Sequence, residues 1–191
     1  MREIEVLYKL HDTIDSAKSK LNQFKFIGSK KTLDIYYYDP LRNELKPNES
    51  GKIFQCFRIR SKNGQYSLAY KIDKYNGDEW LYSDEFETVV GSFDSCQEII
   101  TNLGLKELIK VDNTKFTYLT DKYEIVLEEV VGLGAFLEVE AKEDDVSVSF
   151  ELIKDNIRNF VESLGLNIGD EQNSGKPELL LKERNYDSLS S

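Results

Sequence analysis

The feature that most constrains this chain is a series of strand-like runs with one apolar face and one face charged in both signs. Successive strand residues point to opposite faces, so parity assigns each side chain. In "EIEVLYKL" (3–10), Ile4, Val6 and Tyr8 share one face, and Glu3, Glu5, Leu7 and Lys9 the other. In "FRIR", Phe57 and Ile59 oppose Arg58 and Arg60; in "LAYK", Leu68 and Tyr70 oppose Ala69 and Lys71. In "DEFET", Phe86 opposes Glu85 and Glu87. In "YEIVLEEV", Tyr123, Ile125 and Leu127 oppose Glu124 and Glu128. "AFLEVEAK" sets Leu137, Val139 and Ala141 against Glu138, Glu140 and Lys142.

Two architectures satisfy this pattern. An open antiparallel sheet packs its apolar face on helices and shows its charged face to water. Alternatively, about eight strands curl until the charged faces meet across a lumen, with helices on the apolar outside. Burying both signs is costly unless the charges pair or hold a ligand. Basic side chains grip phosphate oxygens, and carboxylates hold Mg²⁺ or Mn²⁺ through hard oxygen donors. A lumen of mixed sign therefore suits a polyphosphate with a divalent metal.

With 191 residues, 40% of them hydrophobic, the chain suits one domain, expected over 1–185 with a frayed tail at 186–191. It lacks a run of about 18 apolar residues and begins directly in strand-like alternation, so neither a membrane partner nor a signal peptide is expected. Cys56 and Cys96 sit in apolar patterns and read as buried thiols of a cytoplasmic protein. A net charge of −10 argues against nonspecific nucleic-acid binding. Residues 121–151 hold ten Asp/Glu against two Lys, either a solvated acidic surface or a metal-binding lining.

Periodicity predicts a helix over 12–24 with Asp12 as N-cap, a second over 92–104 between Ser92 and Gly104, and a third over 147–165. Asn63-Gly64 is a hairpin signal. Residues 167–176 read as a polar loop, and Pro177 opens a short helix over 177–185. The order is β-α-β₄-α-β₃-α, an α+β pattern dominated by antiparallel strands.

In chain order the charged elements resemble the CYTH superfamily, the triphosphate tunnel metalloenzymes. "EIEVL" resembles its opening Glu-x-Glu-x-Lys at Glu3 and Glu5. "TLDIYY" resembles Gln-x-Asp-x-Tyr-Tyr/Phe at Asp34, Tyr36 and Tyr37, while "FRIR" and "LAYK" resemble the Leu-Arg-Ile-Arg and Leu-Thr-Tyr-Lys strands. "LEEVVGLGAFLEVE" (127–140) is similar to Leu-Asp-x-Val-x-Gly-Leu-Gly-x-Phe-x-Glu-x-Glu and points to the class IV adenylyl cyclase type.

The resemblance implies a closed eight-stranded antiparallel tunnel, a triphosphate substrate, Mg²⁺ or Mn²⁺, and a homodimer. It implies metal ligands at Glu3, Glu5, Glu128, Glu138 and Glu140, and catalytic phosphate grips at Arg58, Arg60, Lys71 and Lys115. Glu85 and Glu87 would line the lumen. Leu7 stands at the lysine of the opening motif, so Lys9, of the same parity, is the candidate replacement for substrate contact. Asn113 and Lys115 stand at a Lys-x-Arg pair; the first loses the charge and the second loses the bidentate fork. The tail reads "SGKPELLL" in place of Ser-Tyr-x-Glu-Leu-Leu.

The implied activity is conversion of ATP to cyclic AMP and pyrophosphate. Hydrolysis of a triphosphate and a binding module without turnover are the alternatives. "GLG" at 132–134 lacks the Gly-Lys-Ser/Thr ending of a phosphate loop and reads as a turn. Trp80 either closes over a tunnel mouth or packs at a strand start.

Overall fold

The computed structural model describes residues 2–142 and 148–184; the expected frayed tail lies outside the described residues. In chain order the elements are β1 (Arg2–Glu3), β2 (Glu5–Leu10), α1 (Ile14–Lys20), β3 (Lys25–Tyr38), a 3₁₀ turn (Asn43–Leu45), β4 (Gln55–Lys62), β5 (Gln65–Asn76) and β6 (Glu79–Val90). They continue with α2 (Phe93–Asn102), β7 (Lys106–Leu119), β8 (Tyr123–Val130), β9 (Gly134–Ala141), α3 (Phe150–Ser163), β10 (Ile168–Glu171) and α4 (Lys176–Glu183). Among the described residues no helix is long and apolar enough to cross a membrane.

The strands form one curled antiparallel sheet in the order β1-β6-β5-β4-β3-β7-β8-β9-β2-β10. This corrects the expected count of eight to ten. Ile4 divides the first run into two pieces with different partners: β1 pairs with β6, and β2 pairs with β9. The tenth strand falls in the stretch expected to be a polar loop; "IGDE" pairs with β2 although its composition carries no alternation signal. Asn63 and Gly64, at φ 50° and 78°, make the tight turn between β4 and β5.

Three helix starts also differ from expectation. Helix α3, expected from residue 147, which lies outside the described residues, begins at Phe150 behind the Ser149 cap. Thr13, not Asp12, caps α1 by accepting from the Ser16 amide. Asp12 instead accepts from Lys20 Nζ at 2.8 Å and the Asn167 amide at 2.8 Å. Helix α4 begins at Lys176, one residue before Pro177.

Parity sorts the sheet as the sequence pattern requires. The convex face packs Val6, Ile125, Leu127, Leu137 and Val139 against Ala17 and Leu21 near α1 and against Ile157 and Val161 of α3. Ile35, Tyr37 and Ile59 pack against Ile100 of α2. Helix α4 departs from the expected placement of all helices outside. Its Leu180 and Leu181 pack with Leu7, Tyr36, Ile109, Val111, Val130 and Phe136. Leu7, Val130 and Phe136 share the parity of Glu5, Glu128 and Glu138, so α4 covers part of the concave, charged face.

Candidate functional site

The concave side chains enclose a cavity of about 110 Å³, lined in its charged part by Glu3, Glu5, Asp34, Arg58, Arg60, Lys71, Lys115, Glu138 and Lys176. Register brings them together. Asp34 of β3 lies directly opposite Arg60 of β4, and Lys71 of β5 opposite Glu85 of β6. Lys115 of β7 faces Glu128 of β8, and Glu5 of β2 faces Glu140 of β9. Cross-strand neighbours on one face stand about 5 Å apart, so each pair meets without further adjustment.

On the β3–β6 side, Asp34 is the pivot. Arg60 grips both its oxygens, Nε to Oδ1 and Nη2 to Oδ2, each at 2.7 Å. Arg58 Nη1 stands 3.8 Å from the same carboxylate, and its Nη2 donates to Glu85 at 3.0 Å. Asp34 is 2% exposed and Arg58 6%. Burial alone would raise the Asp34 pKa, but the Arg60 guanidinium, its hydrogen bonds and the Arg58 charge outweigh it and bring it down to about 2. Lys71 Nζ bonds Glu3 and stands 3.4 Å from Glu85.

On the β7–β9 side, two ammonium groups serve two carboxylates. Lys115 forms an ion pair with Glu128 and lies 3.6 Å from Glu138. Lys176 of α4 bonds Glu138 and lies 3.3 Å from Glu128. Glu128 is fully buried. Burial pushes the Glu138 carboxyl up, yet Lys115 and Lys176 together hold it well below the usual carboxylate range.

Between these sides lies a carboxylate cluster. Glu3, Glu5 and Glu140 each offer an oxygen, all within 4.8 Å of one another. The Glu140 carboxyl is pushed up to about 8 by burial and by the charges of Glu3 and Glu138. Glu5 is raised well above its ordinary value by burial, with Glu138 and Glu3 adding to the shift. In Glu3, the Lys71 charge and hydrogen bond outweigh burial and lower the pKa. Three converging carboxylates on rigid strands, two of them short of positive partners, form a hard-oxygen donor set.

A CYTH domain model matches residues 1–167, most of the chain. The chain belongs to the CYTH domain family. It is 28% identical over 161 residues to "Putative adenylate cyclase MJ0240" of Methanocaldococcus jannaschii, covering 81% of this chain and 85% of that protein. The PH1819 protein from Pyrococcus horikoshii superposes with a TM-score of 0.79 at 28% identity, over 95% of this chain and 99% of that one. The putative adenylyl cyclase HpAC1 from Hippeastrum, described as having a dominant triphosphatase activity, shares the fold at a TM-score of 0.59. Its identity is 16%, and the match covers 94% of each chain.

The candidate residues Arg58, Arg60, Lys71, Lys115, Glu3, Glu5, Glu85, Glu128, Glu138 and Glu140 are gathered on one concave face. Of these, Glu85, Glu128 and Glu140 are not themselves in the cavity lining but pair with or adjoin residues that are, whereas Lys9 and Glu87 lie away from it. Lys9 lies beyond the apolar block, its Nζ bonded to the Leu133 carbonyl and set 4.5 Å from the centre of the Phe136 ring. Glu87 is exposed and accepts from Ser67 at 2.6 Å.

Three contributors to the site, Asp34, Lys176 and Asn113, carry no site role in the sequence pattern alone. Asp34 matches a motif position without a role attached to it. Lys176 arrives from a helix with no strand parity to place it; the signal was the basic residue next to Pro177 in "SGKPELLL". Asn113 accepts from Thr32 Oγ1 and donates to Glu128 at 3.5 Å, a neutral link in a buried row. Leu7 is 2% exposed and faces Glu138 across the β2–β9 pair. Lys176 supplies the positive charge to that same Glu138.

Proposed function

We propose that this chain binds a nucleoside triphosphate with a divalent cation in the concave cavity and converts ATP to cyclic AMP and pyrophosphate, as class IV adenylyl cyclases do. One observation carries this reading: Arg58, Arg60, Lys71, Lys115 and Lys176 converge on a single cavity beside the Glu3, Glu5 and Glu140 cluster. The pairing of residues 2–10 with both β6 and β9 supports a sheet closed into a tunnel.

The residues fit Mg²⁺ or Mn²⁺, with Glu3, Glu5 and Glu140 as the donor set. The ion would supply positive charge for the reacting phosphates. The chain supplies the rest by positioning and charge. Without ligand, Lys71, Lys115 and Lys176 are each occupied by a carboxylate. Phosphate oxygens take those carboxylates' place, and engagement of Glu3 elsewhere releases Lys71. Asp34 holds the Arg60 fork, while the buried Nε of Arg58 has no hydrogen-bond partner among the described residues and is a ready donor. In the reaction the ribose 3′-oxygen gives its proton to solvent water and bonds the α-phosphorus. The bond from that phosphorus to the α–β bridging oxygen breaks, and pyrophosphate leaves onto the cationic side chains.

Hydrolysis in the same cavity is the second reading, favoured by the triphosphatase activity ascribed to the Hippeastrum protein. The test is product analysis by mass after incubation with ATP, GTP or inorganic triphosphate and Mn²⁺ or Mg²⁺, beside a Glu5→Gln control. Cyclic nucleotide and pyrophosphate, lost in the control, support the cyclase. Orthophosphate alone moves the protein to the triphosphatases. No turnover of any substrate by the folded protein defeats both readings.

A further inference from the structure

The cavity has a second end of different chemistry. Toward α4 its walls are Ile53, Cys56, Asp73, Trp80, Ser83, Pro177 and Glu178. The first residue of α4, Lys176, also lines the cavity but is turned to Glu138 and Glu128. Glu178 is turned to the Ile53 and Gly175 amides, and the carboxylate of Asp73 would repel a phosphate. Burial pushes the Cys56 thiol up to about 12, so it behaves as a small apolar group.

Trp80 is held with unusual completeness. The fully buried ammonium of Lys154, on α3, bonds its carbonyl oxygen, and Asn173 accepts from its amide at 3.3 Å. Lys154 is itself fixed 3.2 Å from Glu171 of β10. The indole is 7% exposed, yet its Nε1 has no hydrogen-bond partner among the described residues. A buried N–H without an acceptor is costly, and such groups in native structures call for a partner. Beside it, Ser83 is fully buried and donates to Asp73 Oδ1 at 2.6 Å, fixing that carboxylate against the same cavity.

We infer that this end of the cavity receives the nucleoside of the substrate, the Trp80 indole N–H donating to a heterocycle acceptor and Asp73 accepting from a heterocycle amino group or ribose hydroxyl. The inference rests on the triphosphate reading of the charged end and adds the residues, Trp80 and Asp73, that would select a nucleoside triphosphate over inorganic triphosphate. Flat walls of proline, isoleucine and indole beside one donor and one acceptor are what a nucleobase requires. The network of Lys154 and Glu171 explains why α3 and β10, remote from the phosphate grips, are tied to this edge of β6.

Trp80 is the chain's single tryptophan, so its fluorescence reports this end alone. The experiment titrates wild type with ATP and with inorganic triphosphate in the presence of Mg²⁺, following tryptophan emission and calorimetric affinity. The same titrations are run on Trp80→Phe by calorimetry and on Asp73→Asn by both methods. The expected result is an emission shift with ATP and none with inorganic triphosphate. Each variant should lose about tenfold in ATP affinity while keeping inorganic triphosphate within about twofold. An identical emission change with both ligands, or variants that weaken both ligands equally, overturns the nucleoside subsite and leaves the triphosphate reading intact. If neither ligand binds wild type, the triphosphate reading fails, and the subsite with it. The wild-type fluorescence arm stands even if a variant does not fold.

Discussion

Glu138 and Glu140 lie two residues apart on one strand, face the same way and are the same amino acid, yet their surroundings drive them in opposite directions. Glu138 is bracketed by Lys115 and Lys176 and held ionised. Glu140 is pushed up to about 8 by burial and by the charges of Glu3 and Glu138. The difference comes from what reaches each carboxylate from other elements, since backbone placement is shared. The β7–β9 side is therefore internally neutralised, whereas the cluster on residues 3, 5 and 140 is short of positive charge. The paired side is complete without a ligand; the crowded side is stable as a set of anions only with a cation.

The sharpest way to break this comparison is to remove a partner on the complete side. Glu128→Ala leaves Lys115 and Lys176 with one carboxylate in place of two at a fully buried position. Removing one member of a buried ion pair costs about 3–5 kcal/mol. Urea unfolding should show that loss; a change below about 1 kcal/mol would mean that water, not Glu128, neutralises these lysines.

Acid tests the other balanced group. Asp34 titrates at about 2 when folded, against about 3.9 in an unfolded chain. A depressed carboxyl contributes stability that is present above the unfolded value and lost as pH falls toward the folded one. The contribution is about 2 kcal/mol, lost between roughly pH 4 and 2. Comparing wild type with Asp34→Asn across that range isolates it: the gap between the two should narrow as the pH drops. A constant gap would assign the cost to packing around Arg58 and Arg60 rather than to charge.

Glu140→Gln should do the reverse of Glu128→Ala. With metal chelated, a carboxyl pushed up to about 8 destabilises the fold progressively as pH rises from about 4.5 toward 8. Replacing it should raise stability by about 1 kcal/mol at pH 8, after allowance for partial solvent screening, and by nothing at pH 4.5. The same variant should lose most of the thermal shift that Mn²⁺ gives wild type. If Glu140→Gln destabilises at pH 8, the cluster is held together by bonds that the charge argument omits.

These contrasts also show what the sequence could reveal. Parity placed Arg58, Arg60, Lys71 and Lys115 on one face because strand alternation is strictly local. It placed Lys9 and Glu87 on that face too, but a face is longer than a site. Two residues along a strand is roughly 6.7 Å, which carries Lys9 past the Phe136 ring and Glu87 out to solvent. Lys176 was hidden for the opposite reason: nothing local tells a first-turn helical lysine which sheet face its helix will cover. The short strand "IGDE" was hidden because its pairing depends on the β2 edge, not on its own pattern.

The smallest expected effect tests whether Lys176 supplies the charge that the resemblance to the CYTH opening motif would put at Leu7. The two positions converge on Glu138: Leu7 by cross-strand register, Lys176 by direct bonding. Lys176→Leu should weaken inorganic triphosphate binding about fivefold, since Lys115 remains. Adding Leu7→Lys should recover about threefold of that, because a cross-strand lysine about 5 Å away can reach Glu138. The recovery stays incomplete, as Leu7 also packs on Leu180 and Phe136, and a lysine stem fills that space less well. Calorimetry with inorganic triphosphate measures both steps. If the double variant binds no better than Lys176→Leu alone, charge at Glu138 is not what the helix supplies. The value of α4 would then lie in the apolar block that shuts this end of the cavity.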